Sequence, residues 1–178
     1  MIGEHDIILA WARGELWIQG RDQHGRIVMV KVGDRAPDFT GVTDTGEKIE
    51  LKDLQGKTVV LYFYPRDNTP GCTIEACGFR NSHTAFEEKG AVILGVSPDS
   101  VKSHAKFKTR FKLPFPLIAD DDRKIAEQYG AWQEKSMYGR KYMGIVRSTF
   151  VIDPQGKVAE VYKKVKVRGH VQDVLSKI

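Results

Sequence analysis

Cysteine is scarce in this sequence, with two among 178 residues. So few cysteines exclude a small scaffold held together by disulfides. A reducing cytoplasm would also keep a purely structural bridge from persisting. Cys72 and Cys77 are therefore either two inert thiols in the core or a working redox pair. The residues that surround the two cysteines in the sequence distinguish between these alternatives.

Long apolar runs are also missing, because no stretch approaches the ~20 apolar residues that a membrane-spanning helix needs. The first apolar run, residues 7–12, is short and follows Glu4 and Asp6, where a secretory signal would carry basic residues. Neither low-complexity tracts nor internal repeats occur in the sequence. We therefore expect a cytoplasmic protein without membrane association.

The charge balance has no strong bias, since 28 Lys and Arg residues against 23 Asp and Glu residues give a net charge of +5. The densest basic run comprises Lys163, Lys164, Lys166 and Arg168. Such a run is compatible with a nucleic-acid surface, but lysines also protect the exposed edge of a sheet from unwanted pairing. We favour the sheet edge and expect no nucleic acid as a partner.

The chain is long enough for one domain with a substantial core, and its 41% hydrophobic and 29% charged residues lie in the globular range. Residues 1–28 are interpreted as an N-terminal extension. Two apolar runs, at 16–18 and 27–32, flank a polar stretch that contains glycine, which is typical of a β-hairpin. Residues 29–178 are interpreted as the domain itself.

Within residues 29–178, apolar runs of strand length alternate with segments of helical periodicity. They predict strands at 59–64, 91–96, 115–118, 145–152 and 157–162, and helices at 70–88, 100–112, 123–129 and 169–178. A turn joins the last two strands, which therefore run antiparallel. The order of elements predicts an α/β domain with a central mixed β-sheet flanked by helices.

Cys72 follows the unbroken apolar run at 59–64 and lies at the beginning of a predicted helix. Thr69 suits the N-cap position and Pro70 the first helical position. At this end of a helix, unpaired backbone N–H groups and the positive end of the helix dipole favour an anion. Cysteines at helix N-termini lose their proton more readily than a free thiol, so we expect Cys72 to be mainly a thiolate at neutral pH.

Cys77 follows Cys72 by five residues. In an ideal α-helix this spacing separates the two Cα atoms by roughly 8.6 Å, whereas a disulfide requires about 4.4 to 6.8 Å. A bond between the two sulfurs therefore requires the first helical turns to unwind, and Asn68, Pro70 and Gly71 make this end easy to loosen. The helix-start position favours chemistry over inert thiols. Two cysteines and scattered histidines predict no metal site.

A longer pattern surrounds the two cysteines. Pro65-x-x-x-Thr69-x-x-Cys72 resembles the active-site motif of the peroxiredoxins, and the stretch 64–77 is similar to their bacterioferritin comigratory protein branch, also called Q-type. Supporting matches lie at residues 33–39, 136–140 and 147–150. The resemblance covers about residues 29–178. It implies a thioredoxin-like fold and the reduction of hydrogen peroxide and alkyl hydroperoxides.

The resemblance also implies a role for each matching residue. Cys72 is the peroxidatic nucleophile, which becomes a sulfenic acid, and Cys77 is the resolving thiol that closes an intramolecular disulfide with it. Thr69 offers its hydroxyl to the peroxide and the thiolate, and Pro65 shields the pocket from water. Arg147 holds the thiolate and the peroxide from a strand across the sheet. Spacing alone does not distinguish Arg147 from the other arginines.

The same resemblance implies the partners of the protein. A hydroperoxide is the substrate, and thioredoxin or a similar dithiol reduces the disulfide, since the chain has no third cysteine. No metal, haem or flavin cofactor is needed. A monomer is favoured over a dimer, although the N-terminal extension is a candidate dimer contact.

Two other functions stay open at this point. A thiol–disulfide exchange protein without peroxidase activity would also use a cysteine pair, but such proteins usually carry Cys-x-x-Cys rather than four intervening residues. A basic nucleic-acid-binding domain would bind in a salt-sensitive way that does not depend on Cys72. Peroxide consumption separates both from a peroxidase.

Two further patterns have competing interpretations. The acidic run 120–122 lacks the spacing and the glycine of a calcium loop and is better interpreted as the cap of the helix predicted at 123–129. Trp132, Tyr138 and Tyr142 are interpreted either as a collar around the hydroperoxide or as loop packing.

Overall fold

The computed structural model describes residues 29–178, so the hairpin predicted for residues 1–28 lies outside the described residues. Residues 29–32, which end the second apolar run of that prediction, contain no strand. Met29 and Val30 instead pack into the core, and the Val30 amide donates to the Tyr129 carbonyl. The division of the chain at residue 28 stays a prediction.

Nine strands and five α-helices follow one another in the described residues. The strands are β1 (Thr40–Thr43), β2 (Lys48–Glu50), β3 (Thr58–Phe63), β4 (Ala91–Ser97), β5 (Leu117–Ala119), β6 (Trp132–Met137), β7 (Arg140–Ile145), β8 (Ser148–Ile152) and β9 (Val158–Lys163). The helices are α1 (Pro70–Asn81), α2 (His83–Glu88), α3 (Val101–Phe111), α4 (Lys124–Gln128) and α5 (His170–Leu175), and a 3₁₀ helix spans Leu51–Leu54. None of these helices is long and apolar enough to cross a bilayer.

Seven strands form one sheet in the order β2-β1-β5-β4-β3-β8-β9. β3, β4 and β5 run parallel to one another. β1 pairs antiparallel with β5, β8 with β3, and β9 with β8. β6 and β7 pair antiparallel in a separate two-stranded sheet. The predicted central mixed sheet is therefore confirmed.

β3 lies at the centre of the fold because its residues are apolar on both faces. Val59, Leu61 and Phe63 belong to one buried cluster, whereas Val60 and Tyr62 belong to the other. Helices α1, α2, α3 and α5 supply buried side chains to the second cluster, and α4 supplies them to the first. The prediction of a strand buried on both faces is confirmed.

The helix that carries Cys72 is fixed to the sheet through an aromatic contact. The Tyr62 ring stacks on Phe79 of α1 with ring centroids 4.7 Å apart. Tyr62 reaches this position by crossing β4 at Gly95, where an added Cβ would lie 2.7 Å from the phenol oxygen. A side chain at position 95 would therefore displace the ring that supports α1.

The helix predicted at 70–88 is wrong in one respect, because it is two helices. α1 ends at Asn81, and α2 begins after Ser82, which has φ −101° and ψ 4°. This backbone conformation lies between the helical and extended regions and interrupts the helix. The apolar pattern does not reveal the break, since Phe79 and Phe86 still pack against each other with ring centroids 5.8 Å apart.

The strand predicted at 145–152 is also wrong, because the chain changes sheets there. β7 pairs with β6 and ends at Ile145, whereas β8 begins at Ser148 and pairs with β3 and β9. Arg147 therefore lies in the two-residue connection and not in a strand. Its backbone is nevertheless held, since the Val165 amide donates to its carbonyl oxygen at 3.0 Å.

The other predicted strands and helices agree with the structure to within three residues at each end. The prediction missed the β6–β7 hairpin, whose residues are mostly exposed and lack an apolar stripe. Tyr138 and Gly139 form its turn, and both have positive φ, at 51° and 78°. Two such residues in a row give the turn that suits the twist of a hairpin.

The basic run near the C-terminus lies at a sheet edge, as the sequence analysis favoured. Lys163 ends β9, which is an edge strand of the seven-stranded sheet. Lys164, Lys166 and Arg168 follow it, and all four side chains are exposed. Lysines in this position discourage pairing with another strand.

Candidate active site

Cys72 lies in the first turn of α1, just beyond the carboxyl end of β3. The connection 64–69 turns the chain from the strand into the helix. Helical hydrogen bonding begins where the Thr73 amide donates to the Thr69 carbonyl at 2.9 Å, so Thr69 is the N-cap. The predicted helix start is confirmed. Beyond the carboxyl ends of parallel strands is also where α/β proteins place their sites.

The sulfur of Cys72 is buried beside a guanidinium. The Cys72 residue is 1% exposed, and Nη2 of Arg147 donates to its Sγ at 3.1 Å. Nη1 of the same guanidinium donates to the carboxylate of Glu75, one turn further along α1. Arg147 thus bridges two side chains on one face of α1. The role toward peroxide that the resemblance implies for it stays a prediction.

The electrostatics of this site depend on a buried carboxyl group. Glu75 is 0% exposed, and burial raises its pKa to about 7 although Arg147 acts in the opposite direction. One carboxylate oxygen, Oε1, has no partner among the described residues. Burial lowers the pKa of Arg147, but the charges of Glu75 and Cys72 more than offset this and raise it above its ordinary value. Arg147 is therefore a permanent cation beside the sulfur.

Cys77 lies on the same helix but in different surroundings. It is half-buried, and both cysteines are free thiols. The neighbouring Gly78 packs against α5, where an added Cβ would lie 3.0 Å from Cγ2 of Val171. Since α1 is continuous from Pro70 to Asn81, the helical spacing between the two cysteines applies to the folded protein.

Thr69 and Pro65 are both half-buried in the connection before α1. The Thr69 hydroxyl donates to the Arg66 carbonyl at 3.1 Å and makes no capping bond to α1. This bond fixes the rotamer of Thr69 in the folded site. The roles expected of Thr69 and Pro65 toward peroxide stay predictions.

Three ionisable residues of this region were not predicted from the sequence, namely Glu75, Asp67 and His104. Glu75 follows Cys72 by three residues, a spacing that places both side chains on one face of a helix. This spacing is a signal in the sequence that could have identified Glu75. Asp67 and His104 are buried and bonded to each other across 37 positions. A single sequence carries no signal for such a long-range pair.

The acidic run 120–122 caps α4, as predicted. The carboxylate of Asp120 accepts hydrogen bonds from the backbone amides of Ile125 and Ala126 at 3.0 and 2.8 Å. These bonds satisfy amide groups that the start of a helix leaves unpaired. Residues 29–178 contain no group of three side chains arranged to hold a metal ion.

The three aromatic residues considered as a collar lie on the β6–β7 hairpin. Tyr138 is 99% exposed at its turn, and Tyr142 is also exposed. Trp132 packs against the buried cluster on the α4 side of the sheet, whereas Cys72 belongs to the other cluster. For Trp132 the packing interpretation is therefore the better one.

The arrangement places the buried sulfur of Cys72 beside a fixed cation. A guanidinium favours the charged form of a thiol that it contacts. It also presents several N–H donors in one plane, so that one donor can hold the sulfur while others face an oxygen bound next to it. These are the requirements for displacement at a peroxide oxygen by a thiolate.

Comparison with known proteins leads to the same chemistry. A sequence model of the AhpC/TSA family matches residues 32–161. Peroxiredoxin Bcp of Bacillus subtilis is 51% identical over 146 residues, which cover 82% of this chain and 93% of the relative. The solved structure of a PrxQ mutant from Xylella fastidiosa aligns with a TM-score of 0.80 at 37% identity, covering 84% of this chain and 96% of that one.

A second solved structure, the bacterioferritin comigratory protein of Xanthomonas campestris, aligns with a TM-score of 0.77 at 39% identity. The alignment covers 83% of this chain and 94% of that one. These matches confirm the expected thioredoxin-like fold and the expected branch. The chain therefore belongs to the AhpC/TSA family, in the bacterioferritin comigratory protein branch of the peroxiredoxins, and is a thiol-dependent peroxidase.

Proposed function

We propose that this peroxidase reduces hydrogen peroxide and alkyl hydroperoxides with Cys72 as the attacking thiolate. The observation that carries the proposal is the contact of 3.1 Å between Nη2 of Arg147 and Sγ of Cys72, in a buried position at the start of α1. Helix start and guanidinium both favour the anionic sulfur. The related protein of Xanthomonas campestris is described with alkyl peroxide reduction activity, which supports this substrate class.

The first step is a displacement at oxygen. The Cys72 thiolate forms a bond to one peroxide oxygen while the O–O bond breaks, so the sulfur is oxidised to a sulfenic acid. The other oxygen leaves as an alkoxide or hydroxide and takes up a proton to become an alcohol or water. Arg147 stabilises the charge that develops on this oxygen, and one such donor is worth roughly 3 to 4 kcal/mol. Pro65 and Thr69 complete the pocket by excluding water and orienting the peroxide.

The second step joins the two cysteines of α1. The Cys77 thiol attacks the Cys72 sulfenic acid, which forms the disulfide and releases water. An ideal helix keeps the two Cα atoms roughly 8.6 Å apart, beyond the reach of a disulfide. The first turns of α1 therefore unwind before the bond forms. Cys72 attacks the peroxide while the helix is folded, and the disulfide with Cys77 forms while the first turns are unwound.

The third step returns the enzyme to its dithiol form. A thiolate of thioredoxin or a similar dithiol protein attacks the disulfide between Cys72 and Cys77, which forms a mixed disulfide and releases one cysteine as a thiol. The second thiol of the reductant then attacks the mixed disulfide, so that both cysteines end as thiols and the reductant leaves as a disulfide. The chain needs an external reductant, because it contains no third cysteine. We expect the enzyme to work as a monomer.

A coupled peroxidase assay with and without thioredoxin tests this proposal. We expect peroxide consumption that depends on thioredoxin. The peptide that contains Cys72 and Cys77 should also lose the mass of two hydrogens when the disulfide forms. A thiol–disulfide exchange protein would reduce or oxidise model disulfides but consume no peroxide. That result would contradict the proposal.

A further inference from the structure

The connection that presents Cys72 is anchored by a buried charged network centred on Asp67. Asp67 is 5% exposed. Its Oδ1 accepts from the Tyr64 hydroxyl at 2.8 Å, and its Oδ2 accepts from the Ser103 hydroxyl at 2.7 Å. Nδ1 of His104 lies 3.1 Å from Oδ1 and 3.0 Å from Oδ2. The carboxylate thus has a partner on α3 for each of its oxygens.

His104 has an acceptor at each end of its ring. It is 0% exposed, and its Nε2 lies 3.1 Å from the carbonyl oxygen of Ile118 in β5, while Nδ1 faces Asp67. A carbonyl oxygen only accepts hydrogen bonds, and so does an ionised carboxylate. Both ring nitrogens therefore carry hydrogen when Asp67 is ionised, and His104 is then an imidazolium.

Asp67 is the anionic member of this pair. Burial by itself raises the pKa of Asp67, but the hydrogen bond and the charge of His104, with the hydroxyls of Ser103 and Tyr64, outweigh burial and bring the pKa below its ordinary value. The two hydroxyl groups need acceptors, and the carboxylate supplies one oxygen to each. The pair is therefore a buried ion pair.

A second bond fastens the same residue through its backbone. The Asp67 amide donates to Oδ2 of Asp99 at 2.8 Å, and the Ser97 hydroxyl donates to that oxygen at 2.6 Å. Asp67 is thereby tied to the end of β4 as well as to α3 and β5. The next residue, Asn68, has φ of 58°, and Thr69 is already the N-cap of α1. The anchored part of the connection ends immediately before the helix.

We propose that Asp67 and His104 are positioning residues that hold the connection before α1 in the geometry for peroxide attack and confine the later unwinding to the chain beyond Asp67. Neither residue hydrogen-bonds Cys72, so both act through the backbone that carries it. A buried ion pair contributes little net stability compared with an apolar pair, which agrees with a role in fixing one geometry. The inference rests on the proposed roles of Cys72 and Cys77.

The two chemical steps should respond in opposite directions when the anchor is weakened. In Asp67→Asn the carboxylate charge is lost, and an NH2 group replaces one carboxylate oxygen. This NH2 group then faces two hydrogen-bond donors and has no acceptor. We expect sulfenic acid formation at Cys72 to slow by about tenfold, since a hydrogen bond to a charged group is lost. Closure of the disulfide with Cys77 should become faster, because the unwound form of α1 is more populated.

The experiment uses the full chain and follows both steps by rapid quenching. Sulfenic acid is trapped with dimedone, and the bridge is counted by mass analysis after alkylation. His104→Asn keeps an N–H donor near the position of Nδ1 and should recover part of the attack rate lost in His104→Leu. Val158→Ala, a buried truncation on β9, is the control for a general loss of stability. It should change neither rate by more than about twofold.

The outcomes separate positioning from simple support of the fold. If Asp67→Asn slows attack and closure in the same proportion, the positioning role is overturned. If Asp67→Asn fails to fold, the attack rates of His104→Asn and His104→Leu are compared instead. The positioning role is overturned if His104→Asn recovers none of the attack rate lost in His104→Leu. Nitrogen-15 NMR of the wild type at neutral pH should show two protonated ring nitrogens for His104, and one bare nitrogen would overturn the ion pair. Absence of peroxide consumption in the wild type would instead contradict the proposed function.

Discussion

The two cysteines of this protein share one helix and differ in almost everything else. Cys72 lies in the first turn of α1, is 1% exposed, and receives a hydrogen bond from Arg147 at 3.1 Å. Cys77 lies more than one turn later and is half-buried. Among residues 29–178 no side-chain hydrogen bond or ion pair involves the Cys77 sulfur, whereas the Cys72 sulfur has one. The same residue type therefore occupies two different environments, in agreement with the proposed roles of Cys72 as the attacking thiol and Cys77 as the resolving thiol.

The difference teaches that position, and not the residue type, sets the chemistry. The unpaired backbone amides of a helix end act on a sulfur only within the first helical turn, because the influence of the helix end fades beyond it. The Arg147 guanidinium donates to the sulfur of Cys72 in that same turn. In the proposed second step Cys77 needs no such activation, since a sulfenic acid is already a reactive partner for a thiol. Four substitutions test this contrast, and their effects on the rate of peroxide attack should fall in the order in which they follow.

Replacement of Cys72 by serine should have the largest effect. The serine hydroxyl stays protonated at neutral pH and is a far weaker nucleophile, so peroxide consumption in Cys72→Ser should fall to the uncatalysed background. A peroxide electrode measures the rate, and thermal unfolding shows whether the fold is kept. If the variant consumed peroxide like the wild type, the whole contrast between the two cysteines would be wrong.

Replacement of Arg147 by lysine should have the next largest effect. Lysine keeps the charge but loses the planar group that reaches Cys72 and Glu75 at the same time. We expect attack to slow by about 10²- to 10³-fold, as when one donor to the developing charge is removed. Stopped-flow measurement at several peroxide concentrations gives this rate.

Arg80 provides a matched control for Arg147. It lies on α1 as well, and its guanidinium donates to the Phe111 carbonyl at 2.8 Å and to the Asn81 side chain. Arg80→Lys therefore removes a bridging guanidinium that does not touch Cys72. An equal loss of rate in both variants would show that Arg147 acts only through the stability of the helix.

Replacement of Glu75 by glutamine should have a smaller effect on attack and a clear effect on stability. Burial raises the pKa of Glu75 from 4.5 to about 7, so the folded protein binds this proton more tightly than the unfolded chain. The resulting stabilisation is complete below pH 4.5 and is lost as the pH rises through about 7. Glu75→Gln should remove this dependence, which amounts to about 3 kcal/mol, and should change attack by no more than about tenfold.

Urea unfolding of both proteins at pH about 5 and about 8 measures the predicted difference. The wild type should lose more free energy of unfolding between these values than Glu75→Gln does. An identical loss in the two proteins would mean that Glu75 is already ionised throughout this range as the partner of Arg147. The contrast between the surroundings of Cys72 and Cys77 would then rest on the guanidinium alone.

The sequence predicted the part of the site that is local. The apolar run of β3, the N-cap Thr69 and the proline after it place Cys72 at a helix start without any knowledge of contacts. Such signals lie within a few residues of one another. The bond of Arg147 to Glu75 spans 72 positions, and spacing does not indicate it. Only the resemblance selected Arg147.

The errors in the predicted fold have the same origin. The strand predicted at 145–152 is broken because its two halves pair with different strands, and β-propensity does not encode the partner of a strand. The β6–β7 hairpin was missed because both of its strands are largely exposed, so the alternation that marks a half-buried strand is absent. The ion pair of His104 was missed because its partner lies 37 positions away in the sequence.

Replacement of Cys77 by serine should have the smallest effect on the attack step and a large effect on disulfide formation and turnover. Cys77 is about 1.4 helical turns from Cys72, and the Arg147 guanidinium bonds Cys72 and Glu75 instead. The rate of sulfenic acid formation should therefore change by less than about twofold. The sulfenic acid then has no thiol to close on and is exposed to a second peroxide, which oxidises it to sulfinic acid. Thioredoxin-dependent turnover should stop after one cycle, and mass analysis should find two added oxygens on Cys72. Slow attack in Cys77→Ser would mean that the second thiol already contributes to the folded site, and the separation of the two roles along α1 would fail.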